Sequence, residues 1–175
     1  MKNKYSLLLL FAAFCCLSVR CKEDEKTELE KLPPITAVGA QTFGCLINGE
    51  AFVIGEKDIL SAIYKDGLLL IQAQQYSITG NSKKVALNID RFIYGVGHYK
   101  VPYNHLETNF YVSLPDINSS FFSDVLDTGY AIINIHRFDT VNYYIAGTFE
   151  FVAKEAFNKP IYAIVQGGRF DLKYQ

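Results

Sequence analysis

The chain has 175 residues, half of them apolar, and a formal net charge of −1. That length suits one sizeable core and is short for two domains. Lys2, Lys4 and Arg20 are the only charged residues before Cys21, so the remainder carries 14 basic and 18 acidic side chains. A mildly acidic remainder with no basic cluster argues against nucleic acid as a partner, because phosphate binding needs concentrated Lys or Arg.

Lys2 and Lys4 open the chain as a basic segment, and Tyr5 to Val19 follows with only Ser6 and Ser18 polar. This is the size of a signal-peptide core and falls short of the ~20 residues that span a bilayer. Three of the four cysteines, Cys15, Cys16 and Cys21, cluster at its end, whereas a disulfide scaffold would spread them through the fold. Leu17-Ser18-Val19-Arg20-Cys21 resembles a lipobox in its Leu and Ser, with Arg20 standing where a small residue is usual. Cys21 is the expected lipidation site because a polar stretch starts directly after it; Cys16 is the alternative. A cysteine carrying two or three acyl chains anchors a protein stably, at ~0.8 kcal/mol per buried methylene.

Lys22 to Lys31 has almost no apolar content and reads as a solvated tether. Within it Lys22, Glu23, Asp24 and Glu25 resemble the surface-export signal of Bacteroidetes lipoproteins. Leu32-Pro33-Pro34 ends the stretch with a stiff step. The expected organisation is therefore a signal peptide over 1–20, a flexible acidic tether over 21–34 and a single all-β domain over 35–175. The expected location is an outer membrane, on its periplasmic or cell-surface side.

From Phe43 onward, apolar alternation and turn residues predict about ten strands. Phe43–Ile47 and Ala51–Ile54 flank Asn48-Gly49, a hairpin signal, and Leu60–Tyr64 and Leu68–Gln74 flank Asp66-Gly67 in the same way. Lys84–Phe92 places Val85, Leu87 and Ile89 on one face. Gly97–Val101 and Thr108–Leu114 follow, and Ser119 to Asp127 reads as helical or irregular. Tyr130–Arg137 leads through an Asp139–Asn142 turn into Tyr143–Lys154, with Ile145, Phe149 and Phe151 on one face and Tyr144, Thr148, Glu150 and Lys154 on the other. Ile161–Gln166 and Arg169–Tyr174 close the chain around Gly167-Gly168. Short connections imply an antiparallel meander, which hides its edges as a barrel or half-open barrel, with a two-sheet sandwich as the alternative.

Three segments, Thr42 to Phe52, Ala146 to Phe151 and Gly168 to Tyr174, are together similar to an uncharacterised family of Bacteroidetes lipoproteins, a domain of unknown function. The resemblance covers Leu32 to Tyr174. It implies an envelope location and an all-β fold, and it supplies no catalytic residues.

No residue pattern points to a reaction. His98, His105 and His136 show no metal-ligand spacing, and no metal or cofactor is expected. Asp58, Asp66, Asp116, Asp124, Asp127 and Asp139 mark turns; Asp116-Ile117-Asn118 lacks the third acid of a calcium loop. No Gly-x-Ser-x-Gly elbow exists; Ser77 and Ser82 sit in a loop and Cys45 reads as a buried thiol. Asp90 and Glu150 are the only acids inside strong strands, and both are expected to face solvent. Arg169 and Asp171 share a strand face and are expected to pair with neighbours at the closing seam. Tyr94, Tyr99, Tyr103, Tyr111, Tyr143 and Tyr144 fill the core and interstrand pairs or offer stacking faces. The leading expectation is non-enzymatic binding of a glycan, lipid or peptide. An interaction module of an envelope protein assembly is the alternative, and a hydrolase the third reading.

Overall fold

The computed structural model describes residues 26–105, 107–115, 119–123, 126, 129–155 and 160–175. Cys16, Cys21, Lys22, Glu23, Asp24 and Glu25 lie outside the described residues, as do Asp116, Asn118, Asp124 and Asp127. Among the described residues eleven strands form one antiparallel sheet: β1 (Thr42–Ile47), β2 (Glu50–Val53), β3 (Ile59–Lys65), β4 (Leu68–Gln74), β5 (Lys84–Ile89), β6 (Gly97–Pro102), β7 (Asn109–Leu114), β8 (Ser119–Phe122), β9 (Tyr130–Asp139), β10 (Tyr144–Glu155) and β11 (Tyr162–Lys173). The fold is all-β and curls into a half-barrel, not a sandwich.

The sheet runs β2-β1-β11-β10-β8-β7-β5-β4-β3. The long β10 divides its outer edge between two partners. Tyr144 to Glu150 pair with β9, which in turn carries β6, while Lys154 and Glu155 pair with β8. At the far end of the path β3 reaches back to the chain terminus: Tyr64 N–H donates to Gln175 O at 3.0 Å and Gln175 N–H to Ala62 O at 3.2 Å. Neighbours such as β1–β11 and β6–β9 are distant in sequence, so the order departs from a simple meander.

Local chemistry sets the two hairpins. Asn48 and Gly49 have φ of 51° and 89°, and Asp66 and Gly67 have 50° and 87°. Two successive positive φ values define the turn whose twist suits a two-residue hairpin, which is why these residue types occupy it. Alternation then sends Leu69, Ile71, Ala73, Val85, Leu87, Ile89, Phe110 and Val112 inward, all fully buried. A spine of rings fills the interior: Phe43 packs on Phe149 at 5.2 Å, and Phe110 on Phe151 at 5.1 Å. Full burial of each such ring contributes about 1.5–3 kcal/mol.

Three expectations need correction. Ser119–Phe122 is strand β8, made so by pairing with β7 and β10 and not by any local signal. Gly167-Gly168 does not turn the chain: β11 runs through it with a bulge opposite Phe149–Phe151. A Cβ on Gly168 would sit 2.6 Å from the Phe149 ring and backbone oxygen, so close approach, not a reversal, demands the glycine. Residues 27–34, expected as the end of a flexible tether, lie against the sheet. Thr27 and Glu30 form a capping box that opens a 3₁₀ turn over Glu28–Lys31. Glu28 accepts the Ala51 N–H at 2.8 Å, and Leu32 is buried.

Candidate functional site

The next segment, residues 33–41, crosses the outer face of the sheet as a strap, and buried Asp171 on β11 fastens it. Its carboxylate accepts from Thr36 Oγ1 at 2.7 Å, Val38 N–H at 2.9 Å and Gly39 N–H at 2.7 Å. Burial pushes this carboxyl up, and the hydrogen bonds outweigh it and hold the group below its ordinary range. Arg169 donates from Nε to Gly167 O and from Nη1 to Pro33 O, both at 3.2 Å. Arg137 on β9 donates to Ala37 O at 2.8 Å. Arg169 and Asp171 share a face as expected, but β11 lies inside the sheet between β1 and β10 and not at a closing seam, and their partner is the strap.

Between strap and sheet lies a cleft of about 280 Å³, lined by Ile35 above and by Ile132, Asn134, Thr148, Phe149, Glu150, Gly167, Gly168 and Arg169 below. Strand register builds it. His98, Asn134, Thr148 and Arg169 are successive cross-strand partners on β6, β9, β10 and β11, so one row of polar side chains crosses four strands. His98 Nδ1 donates to Asn134 Oδ1, and Asn134 Nδ2 donates to Thr148 Oγ1 at 3.2 Å. The Thr148 hydroxyl hydrogen is left to donate elsewhere. Glu150, two residues along β10, is exposed and shares the face. A second cleft of about 180 Å³ meets the first at Ile132 and Glu150, and continues over Tyr103, Tyr130, Val152, Ile164 and Gln166.

Other candidates resolve into structure. Among the described residues no three His, Cys, Asp or Glu side chains group closely enough to hold a metal. His136 is exposed on β9, and the His105 ring packs on Phe92 at 4.8 Å. Cys45 is buried in β1, and burial pushes its thiol far up, which removes the thiolate a nucleophile needs. Asp58 and Glu56 line a separate cleft of about 530 Å³. Asp58, however, spends its oxygens on Gly55 N–H at 2.7 Å and Tyr76 N–H at 2.6 Å. Asp139 caps its turn through Val141 and Asn142 and pairs with Arg137 at 2.7 Å; these bonds, those to Asn142 foremost, hold its carboxyl far below the usual range. Asp90 lies just past β5, 3.6 Å from Arg91. Ser77 pairs with Thr79 in its loop.

The tyrosines divide. Tyr103 is buried and its hydroxyl accepts the Val152 N–H at 2.8 Å, Tyr99 donates to Gly95 O, and Tyr111 packs at a tilt on Phe122. Tyr144 lies between the cations of Arg137 and Lys173. Tyr94 and Tyr143 are exposed away from the clefts, whereas Tyr130, which sequence reasoning missed, lines one of them. Its signal was its place at the start of a strand whose alternate residues face outward.

Comparison with protein-family models, curated proteins and solved structures returned no match. Among the described residues no helix is long and apolar enough to cross a membrane.

Proposed function

We propose that this chain is a lipid-anchored envelope protein whose β-domain binds a ligand, without catalysis, in the outer cleft between strap and sheet. The observation that carries the binding part is the convergence of Thr148, Glu150 and Arg169 beneath Ile35. Among the described residues the interior of the half-barrel is packed with apolar side chains. Ligand sites are typically concave, with a few placed polar groups beside apolar surface; the first cleft supplies the polar groups and the adjoining one the apolar surface. The anchoring part rests on the signal-peptide core, on Cys21 with its acidic sequel, and on the resemblance to Bacteroidetes lipoproteins. Lys22, Glu23, Asp24 and Glu25 would then direct surface export.

A thermal-shift screen of glycans, lipids and peptides tests the binding part, since a ligand of the native state raises its melting temperature. No shift from any class would remove it. Mass spectrometry of the N-terminal peptide tests the anchor: an unmodified Cys21 in the membrane fraction would remove that part alone. Replacing Lys22 to Glu25 by Ala is expected to retain the protein on the periplasmic side, so unchanged surface protease access would refute the export signal.

One observation favours a second reading, docking within an envelope assembly. Ile161, Tyr162, Ile164 and Tyr130 are 41%, 44%, 45% and 49% exposed on or beside the same outer face. A photo-crosslinker at Ile164 in intact cells would then capture one envelope protein reproducibly, and capture of lipid or nothing would refute docking there.

A further inference from the structure

We infer that the cleft takes an acidic saccharide, with the sugar carboxylate on Arg169 and its hydroxyls on Glu150 and Thr148; this rests on the ligand-binding reading above. Two opposite charges line the cleft without an ion pair between them. Thr148 is the register partner of Arg169, and Glu150 lies two residues further along β10. Glu150 falls at the bulge between Phe149 and Phe151, and it lines the same cleft as Arg169. Yet no carboxylate among the described residues lies within ion-pair distance of Arg169. The carbonyls of Gly167 and Pro33 hold its guanidinium in place instead. They engage two of its five N–H donors, so the fork keeps three for a ligand, already oriented.

The groups around that fork specify what fits. A guanidinium fork matches a carboxylate with two parallel hydrogen bonds. Ionised Glu150 only accepts, so the ligand must present donors to it, and a second anionic group there would be repelled. Thr148 keeps a hydroxyl hydrogen for an acceptor between the two. One carboxylate flanked by several hydroxyls is the chemistry of a uronic-acid ring. The adjoining cleft adds the exposed Tyr130 ring and the apolar Ile132, Val152 and Ile164, a platform for the next ring of a chain. An extended peptide fits this floor less well. At the first cleft β9, β10 and β11 are each paired on both sides; in the adjoining one β10 lacks a strand partner on its outer edge only over Phe151–Ala153, where the Tyr103 hydroxyl takes the Val152 N–H, so the floor offers no continuous backbone ladder.

The test uses the detergent-solubilised full chain and isothermal titration. The panel holds trisaccharides of galacturonate, glucuronate and mannuronate, their neutral counterparts, inorganic phosphate and a random-sequence peptide library. At least one acidic trisaccharide is expected to bind, with its neutral counterpart and phosphate at least tenfold weaker. Arg169→Lys should remove most of that preference for the acid. Glu150→Gln, whose exposed side chain makes no hydrogen bond among the described residues, should weaken the acidic sugar several-fold with an unchanged melting temperature. Hydrogen exchange should slow in residues 33–39 and in β10 when the sugar is bound. Equal binding of acidic and neutral sugars overturns the acidic class and leaves ligand binding standing. Binding of peptide alone overturns the saccharide. Binding of nothing overturns both readings.

Discussion

Replacing Asp171 by Asn probes what fastens the strap. Asp171 is 1% exposed, and its two oxygens serve Thr36, Val38 and Gly39. Asparagine keeps the shape and turns one acceptor into an NH₂ donor. Thr36 can rotate its hydroxyl to accept, but the Val38 and Gly39 N–H groups approach opposite oxygens and cannot. Whichever way the amide lies, one backbone donor loses its acceptor. A buried unpaired donor costs about 1–3 kcal/mol, and loss of charge assistance adds about 1, so the expected destabilisation is about 2–4 kcal/mol at pH 7. Urea denaturation measures it, and trypsin cleavage after Lys31 should accelerate as the strap lifts. The sign with pH follows from the depressed carboxyl. The charged form contributes its full stability above the unfolded value of about 3.9, and that contribution is lost as pH falls through the lower folded value. The gap between wild type and variant should therefore be widest at neutral pH and narrow in acid below about pH 4. A loss under about 0.5 kcal/mol at pH 7, with cleavage at Lys31 unchanged, would refute this account of the strap.

Gly147→Ala should destabilise by about 1–3 kcal/mol or more, because the new methyl falls inside contact distance of the Asn134 backbone oxygen across the β9–β10 bulge. Chevron or equilibrium denaturation would show it, and a neutral result would mean that the bulge yields. Phe149→Ala removes the ring that touches Phe43, Phe151 and Phe170, and should cost about 3–5 kcal/mol; under about 1 would contradict a tightly filled interior. Cys45 should resist iodoacetamide in the folded protein and react fully in denaturant, as read by peptide mass mapping. Rapid native modification would contradict its burial.

How much of this was legible in sequence follows from how far each cause reaches along the chain. Asn48-Gly49 and Asp66-Gly67 were legible because a two-residue turn depends on its own residues' freedom at positive φ. Alternation in Lys84–Ile89 was equally local. The four residues of β8 carry no such signal, and their state is set by partners on β7 and β10. Gly167-Gly168 misled because a glycine pair suits both a reversal and a close packing contact, and only the Phe149 ring decides between them. The site was legible only in parts. Glu150 and Arg169 were read as a solvent-facing acid and a seam residue, and the strand pairing and strap that bring them to one cleft are tertiary. The strap's fastening spans 135 positions between Thr36 and Asp171, far beyond any sequence window.

The strap also joins the two halves of the proposed function. Among the described residues, the first contacts are the Thr27–Glu30 capping box and the Glu28–Ala51 hydrogen bond, six residues after Cys21 and well before Pro34. Six residue steps at most ~3.3–3.6 Å each reach about 20 Å. An acylated Cys21 would thus hold the 3₁₀ turn within about 20 Å of the bilayer surface. The same strap that begins there supplies Pro33 O to orient Arg169 and Ile35 to roof the cleft. The cleft's geometry then depends on the segment nearest the anchor. Lengthening the leash by inserting residues after Lys26 should change how the domain stands off the membrane without changing affinity for a soluble ligand. An insertion after Leu32 should loosen Arg169 and weaken that affinity at an unchanged leash. Equal effects of the two insertions on soluble-ligand affinity would show that the strap plays no part in the site.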